Sequence, residues 1–325
     1  VLAALLLSTA ILAPAAAQEA TPVTGEELGL QEIRIRTTDT AFEGAPSELP
    51  AGRYLVTLEH AGTGFGATVE FMMLPEGMTA EDFASLFAPP TGTPDTETPP
   101  EVEATPPEVE ATPGPEGPPA WYYQTTMAGG VGIGPGQTGQ VVIDLSPGNW
   151  VIWSGDPAAP QAPVGLTVTG EIASPVAMTE PPATVTITEF EYGFRMEGTL
   201  QPGVQWLKVV NSGAQPHFTF IFRSTVPVTR EQIQQLLELE AQGATPAPDS
   251  GLPNPNEDFI PVVFTGTQST GTTQWVRANI EPGTYILVCF VPDIQDGSPH
   301  AYHGMFEVVE VADGVTGSPV ATPTG

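Results

Sequence analysis

The sequence predicts an all-β protein built of two tandem β-sandwiches, each with a short inserted helix and a Pro-rich acidic loop. Three observations predict it. Most segments are short, β-rich and bounded by Gly or Pro, the pattern of sandwiches and barrels. Glycine (35) and proline (37) together exceed a fifth of the 325 residues, too much punctuation for a helical bundle. The same succession of elements also occurs twice along the chain.

The chain opens on an uncharged apolar run, residues 1–17, ending in Ala15, Ala16 and Ala17. This reads as a secretory signal, and the run is short for a membrane anchor. No Cys lies near it to carry a lipid. The expected mature product is secreted or periplasmic, acidic, soluble and without a membrane span.

A first domain is expected over 31–172 and a second over 184–312, with a boundary near 174–182 and a flexible tail at 313–325. In the first, strands at 33–38 and a Gly-punctuated pair at 54–71 precede a helix beginning Thr79-Ala80-Glu81-Asp82-Phe83. In the second, strands at 184–190 and a pair at 206–222 precede a helix beginning Thr229-Arg230-Glu231-Gln232-Ile233. Both helices open with Thr as N-cap and an acid or amide three residues on. Both place apolar residues on one face at i, i+3 and i+4. A low-complexity stretch follows each helix. Residues 89–119 repeat the heptapeptide PPEVEAT, too polar to offset ordering entropy, so a disordered insert is expected. Residues 243–258 form a shorter loop of the same kind. Further strands are expected at 139–145, 259–265, 273–280 and 306–311. Each half also has a Pro-Gly turn entering an alternating strand, Pro147-Gly148-Asn149-Trp150 and Pro282-Gly283-Thr284-Tyr285.

Thirty-eight acids against eight bases give a formal charge of −30. That excludes a nucleic-acid footprint and disfavours anionic lipid. One Cys excludes a disulfide framework and a Cys-rich zinc module. No Gly-x-Ser-x-Gly elbow supports a hydrolase, and no phosphate loop appears in a strand–helix context.

The second repeat holds the single Cys and three of the four His. Cys289 ends a strand, and His300, His303 and Met305 follow within sixteen residues. His217 lies on an earlier strand. Singly, each suits a packed core. Together, a thiolate, two imidazoles and a thioether suit copper, with Met as a weak axial contact. The first repeat has Ser154 in place of Cys289, and no His, Cys or Met at 154–171. Positions matching His217 fall at Phe65 or Gly66, with His60 too early, and Trp150 and Trp153 read as packing aromatics.

Three segments resemble the cupredoxins, or type 1 copper proteins. Asn211-x-Gly213-x-x-Pro216-His217 is similar to the strand delivering the first His. Gly283-Thr284-Tyr285-x-x-x-Cys289 is similar to the strand leading to the Cys. Pro299-His300-x-x-x-Gly304-Met305 is similar to the end of the ligand loop. The resemblance covers about 184–312. It implies Greek-key sandwiches, one copper ion, and His217, Cys289, His300 and Met305 as ligands, with His303 a rival for His300. The first repeat then looks like a degenerate, metal-free copy. Ten residues, 290–299, separate Cys289 from His300, where cupredoxins usually have a few, and Phe218 and Phe290 stand where smaller or polar residues are common.

The expected function is one-electron transfer by an exported copper protein, with outer-sphere transfer through His300 as the more exposed ligand and not an enzyme. Its acidic surface suits a basic redox partner. A trinuclear oxidase cluster, or a paired type 1 and type 2 site as in two-domain nitrite reductases, needs more imidazoles than the four in the chain. Two alternatives use the same residues differently. Copper storage or delivery would lack a reversible visible redox transition. A metal-free extracellular recognition or structural module would take up no copper.

Overall fold

Outer strands such as Gln31–Thr37 alternate in burial while central ones such as Gly52–His60 are buried throughout, and strand edges decide how the two repeats meet. The computed structural model describes residues 21–64, 66–86, 118–155, 161–171, 178–247 and 249–312. The first half comprises α1 (Gly25–Leu28), β1 (Gln31–Thr37), β2 (Phe42–Glu43), β3 (Glu48–Pro50), β4 (Gly52–His60), β5 (Ala67–Met73) and α2 (Ala80–Ser85). After a 3-10 turn at Ala120–Tyr123 come β6 (Met127–Ile133), β7 (Thr138–Leu145), β8 (Gly148–Trp153) and β9 (Val164–Thr169). The second half repeats the plan: β10 (Ala183–Phe190), β11 (Gly193–Glu197), β12 (Gly203–Asn211), β13 (Phe220–Ser224), α3 (Arg230–Ala241), α4 (Pro255–Asp258), β14 (Phe259–Thr265), β15 (Thr273–Ile280), β16 (Gly283–Val288) and β17 (Phe306–Val311).

The strands form two sheets, ordered β11-β10-β12-β15-β7-β4-β1-β2 and β17-β16-β13-β14-β6-β5-β8-β9-β3. Read outward from the middle, each half contributes corresponding strands in the same succession: β7-β4-β1-β2 against β15-β12-β10-β11. The repeats therefore join edge to edge as pseudo-twofold partners. β7 pairs antiparallel with β15 and β6 with β14. Apolar side chains from both halves, among them Leu58, Val141, Ile152, Leu207, Val276 and Leu287, share one cluster between the sheets. Sequence alone indicates two sandwiches; that their sheets fuse depends on edges meeting in space.

The Gly-rich β6, which alternation does not reveal as a strand, is explained by close approach on both its sides, to β5 and across the seam. A Cβ on Gly130 would lie 2.0 Å from the Val69 carbonyl oxygen, and one on Gly266 would lie 2.3 Å from the Gly130 nitrogen. Only glycine lets the backbones approach so closely. Buried polar groups complete the join. The Gln274 amide accepts from Gly130 N at 3.0 Å and donates to Gly266 O at 2.8 Å. Glu70 accepts from Thr267 N at 2.9 Å.

Corresponding devices recur in both halves. Thr79 and Thr229 close capping boxes with Asp82 and Gln232. At the Pro-Gly turns, Trp150 Nε1 donates to Ser146 O at 2.9 Å and Tyr285 Oη to Glu281 O at 2.8 Å. Each aromatic thus holds the carbonyl four residues earlier, and Trp150 is buried while Trp153 is half-buried. The apolar face of α3 (Ile233, Leu236, Leu237) packs beside Ile286, Val288 and Ala301 on the outer side of the second sheet. The expected loop at 243–258 is corrected in part: Asn254 caps α4 with Pro255 at its first position, which favours a helical turn. The expected signal at 1–17, nearly all of the insert at 89–119 and the tail at 313–325 lie outside the described residues. Among the described residues no helix is long and apolar enough to cross a membrane.

Gly266→Ala is expected to cost at least about 1–3 kcal/mol, the range for overpacking, because the atom it meets is backbone. The check is a drop in urea midpoint, with Gly271→Ala giving a smaller one: nothing lies within 4 Å of its Cβ, although its φ of +78° still disfavours a side chain.

Candidate metal centre

Each chemically distinctive residue of the second repeat is delivered by a different local device. His217 follows the loop after β12. Its backbone exchanges two hydrogen bonds with Gln268, at 3.0 and 2.7 Å. Asn211 is fully buried and its amide donates to the carbonyls of Gln215 and Gln268, both at 2.8 Å, while its Oδ1 accepts from Gly213 N. The Asn-x-Gly-x-x-Pro-His segment is therefore a self-bonded turn locked to Gln268. Gly213 is required there, because a Cβ would lie 2.6 Å from His217 Nε2.

Cys289 directly follows β16, and its amide donates to Met305 O at 3.2 Å. Met305 precedes β17, so strand pairing sets it beside Cys289, and its own amide donates to His300 O at 3.0 Å. His300 opens a 3-10 turn, His300–His303, closed by Gly304 with φ 101°, a conformation open to glycine. The long ligand loop does not separate Cys289 from His300. It folds on itself as a small hairpin with Pro292 bridged to Pro299 and Asp293 N donating to Ser298 O. Below that narrow base His300 N donates to Val291 O at 2.9 Å.

The result is a buried triangle. His217 Nδ1 stands 3.0 Å from His300 Nδ1, and Cys289 Sγ lies 3.9 and 3.7 Å from them. All three residues are fully buried, as is Met305. His303 sits outside it. Its Nε2 lies 3.3 Å from Asp296 Oδ1, on the partly exposed outer face. Asp293, Asp296 and His303 form a separate grouping.

The triangle fits a metal. An ion held at about 2.0 Å from nitrogen and about 2.3 Å from sulfur sets two nitrogens about 3 Å apart at near right angles, with the sulfur farther off. The three donors form a group of a size to hold a single ion. A thiolate with two imidazoles is a copper-compatible set. Both imidazoles turn Nδ1 inward, and their outer Nε2 atoms are buried without a hydrogen-bond partner among the described residues. Burial pushes both His pKa values down to about 4, reinforced at His217 by the His300 charge and opposed at His300 by Asp293. Both rings are thus neutral donors at pH 7. Burial also pushes the Cys289 thiol up, against the pull of the Phe218 and Val291 amides. A cation is what displaces the thiol proton.

The first half has no such triangle among its described residues. Ser154 takes the Cys289 position and its hydroxyl pairs with Thr68 at 2.7 Å. Register corrects one alignment: Trp153 pairs with Glu70 as Val288 pairs with Phe220, so Ala67 corresponds to His217 rather than Phe65 or Gly66. A second correction concerns exposure. His300 was the expected exposed ligand, yet it is fully buried beneath Tyr192, whose ring lies 5.7 Å away. Sequence gave no sign of Tyr192. Its signal is structural: it is the one non-glycine residue with positive φ, 61°, among those described.

No protein-family model and no curated protein matches the chain. Among solved structures, it is similar to auracyanin A, a "blue" copper protein from Chloroflexus aurantiacus, at 16% identity, covering 39% of this chain and 98% of that one, with TM-score 0.23. It is similar to reduced auracyanin from Roseiflexus castenholzii at 17% identity, covering 39% and 95%, with TM-score 0.25. A copper nitrite reductase from Nitrosomonas europaea is 11% identical, covering 87% and 94%, with TM-score 0.22. With TM-scores well below 0.5, the metal assignment rests on the side chains described above.

Two outcomes follow from this geometry. Gly213→Ala is expected to lower metal affinity about 10–100-fold by displacing His217, as read by competition with a chelator. The second concerns Glu189, buried beside the site, with Oε1 accepting from Thr219 Oγ1 at 2.7 Å and Oε2 unpartnered. Burial, opposed by Thr219, raises its pKa from 4.5 to about 8. The folded chain holds that proton after the unfolded chain has released it. Stability therefore falls as pH rises from 4.5 toward 8 and levels off above. Glu189→Gln is expected to remove this decline, stabilising the protein by a few kcal/mol on the order given by such shifts at pH 8 and changing little at pH 4.5, as read from urea midpoints.

Proposed function

We propose that this is an exported copper protein that transfers single electrons through a type 1-like centre. The observation that carries the reading is the buried 3.0, 3.7 and 3.9 Å triangle of two Nδ1 atoms and one thiol sulfur. His217, Cys289 and His300 would hold the ion, Met305 would offer a further, weaker sulfur donor, and His303 lies outside the group. Copper, when bound, supplies a one-electron couple. The protein's part is to keep the donors in place and dry. Rigid backbone bonds at His217, Cys289 and His300 resist rearrangement between oxidation states, and complete burial excludes water from the donors. The covering ring of Tyr192 links the buried His300 imidazole to the partly exposed surface. A basic redox partner suits a chain of charge −30. Export is supported by the apolar 1–17 segment, and an enzymatic role lacks the imidazoles for a second copper site.

Adding Cu(II) to the protein is expected to give one equivalent bound and an intense visible sulfur-to-copper band that bleaches and returns over reduction cycles. Cys289→Ser is expected to abolish the band. Uptake with only a weak nitrogen–oxygen spectrum would favour storage or delivery, and no stoichiometric uptake would leave a metal-free module.

A further inference from the structure

Both ligand imidazoles face the centre with Nδ1, so whatever lies behind Nε2 acts on the donor directly. Behind each stands a carboxylate. His217 Nε2 is 3.5 Å from Glu191 Oε1, and His300 Nε2 is 3.8 Å from Asp293 Oδ2. Neither Nε2 has a nearer partner among the described residues.

The two carboxylates are fixed from elsewhere. Glu191 Oε1 accepts from the amides of Ala214 and Gln215, the latter at 2.9 Å. Asp293 Oδ2 accepts from Tyr192 Oη at 2.7 Å and Gln215 Nε2 at 2.8 Å, while its Oδ1 accepts from Gln295 N at 2.7 Å. Gln215 therefore touches both, and its Oε1 accepts from Ile294 N at 2.8 Å. Glu191 and Tyr192 form the turn between β10 and β11, so one turn supplies one carboxylate and clamps the other. Tyr192 holds φ 61° to do so, a conformation costly for a non-glycine residue. Asp293 is 2% exposed, and it lies in the ligand-loop hairpin that lengthens the Cys–His spacing. Burial raises the Asp293 pKa, but Gln215, Tyr192 and the Gln295 amide outweigh it and bring it down to about 2. For Glu191, backbone amides likewise outweigh burial and hold the carboxyl low.

We infer that Glu191 and Asp293 are positioning residues of the metal centre, paired carboxylates that hold His217 and His300 as Nδ1 donors and favour the more highly charged, oxidised ion. The inference rests on the copper reading for its redox half only. A negative charge behind an imidazole strengthens it as a donor and fixes its tautomer. Two such charges favour Cu(II) over Cu(I) and lower the potential.

The test uses the full chain with Asp293→Asn, Glu191→Gln and the double variant, since an amide removes the charge and keeps one acceptor oxygen, exchanging the other for an NH2 donor. Spectroelectrochemical titration of the copper-loaded protein is expected to show each single variant favouring the reduced form about tenfold, a rise of about 59 mV, with the double variant higher than either. In parallel, Co(II) affinity of the metal-free protein is expected to fall about 10–100-fold in each. Potentials that stay put or drop, with Co(II) affinity unchanged, overturn the inference. If the parent never develops a visible copper band, the copper reading has failed, and the Co(II) measurement alone judges the carboxylates: a loss supports them and no loss refutes them. Should Asp293→Asn fail to fold, Glu191→Gln decides, because that side chain is one-third exposed and its amide oxygen still accepts from both backbone groups.

Discussion

Two imidazole nitrogens 3.0 Å apart in a fully buried position, with a thiol beside them, form the contact on which the second half of this protein depends. The three donors are neutral when no cation is present, since burial depresses both His and raises the Cys. The donor triangle itself costs little to fold empty, because none of its three groups buries a charge. It becomes a strong cation site as soon as the thiol proton leaves.

Holding three donors at one point takes three independent restraints. The Asn211 turn ties His217 to Gln268, and Gln268 also bridges to Ala128 of the first half. Strand pairing ties Cys289 to Met305. The Pro292–Pro299 hairpin ties His300 back to Val291. The first half, with no metal triangle among its described residues, thus still contributes. Its strands complete both sheets, and Tyr123 donates to the Pro292 carbonyl at 3.1 Å, steadying the ligand loop. Its own corresponding position is closed by the Thr68–Ser154 pair, so a polar contact replaces the donors rather than leaving a void.

The hairpin also explains why so long a loop between two donors is tolerated. A loop that closes on itself adds little closure entropy to the segment it interrupts. What it adds is Asp293, a buried acceptor for Tyr192 and Gln215 facing the outer edge of His300. Extra length between Cys289 and His300 therefore enlarges the surroundings of the site without moving its donors.

Sequence by itself determined the elements and the donor types. Short β-rich runs bounded by turn residues marked β14, β15 and β17 with their observed limits, and Thr-led capping boxes marked α2 and α3, because composition and caps are local properties of the chain. One Cys and three His in a short order pointed to a single metal site. Tertiary structure alone decided the rest. Gly-rich β6 has no alternation to read, since its glycines allow close approach both to β5 and across the seam. The preference of His300 for the triangle and of His303 for Asp296 depends on the pitch of a 3-10 turn, not on spacing. The burial of His300 and the pairing of Glu191 and Asp293 with the two rings arise where segments 24 to 101 residues apart meet. Local sequence carries no record of which distant surfaces will touch.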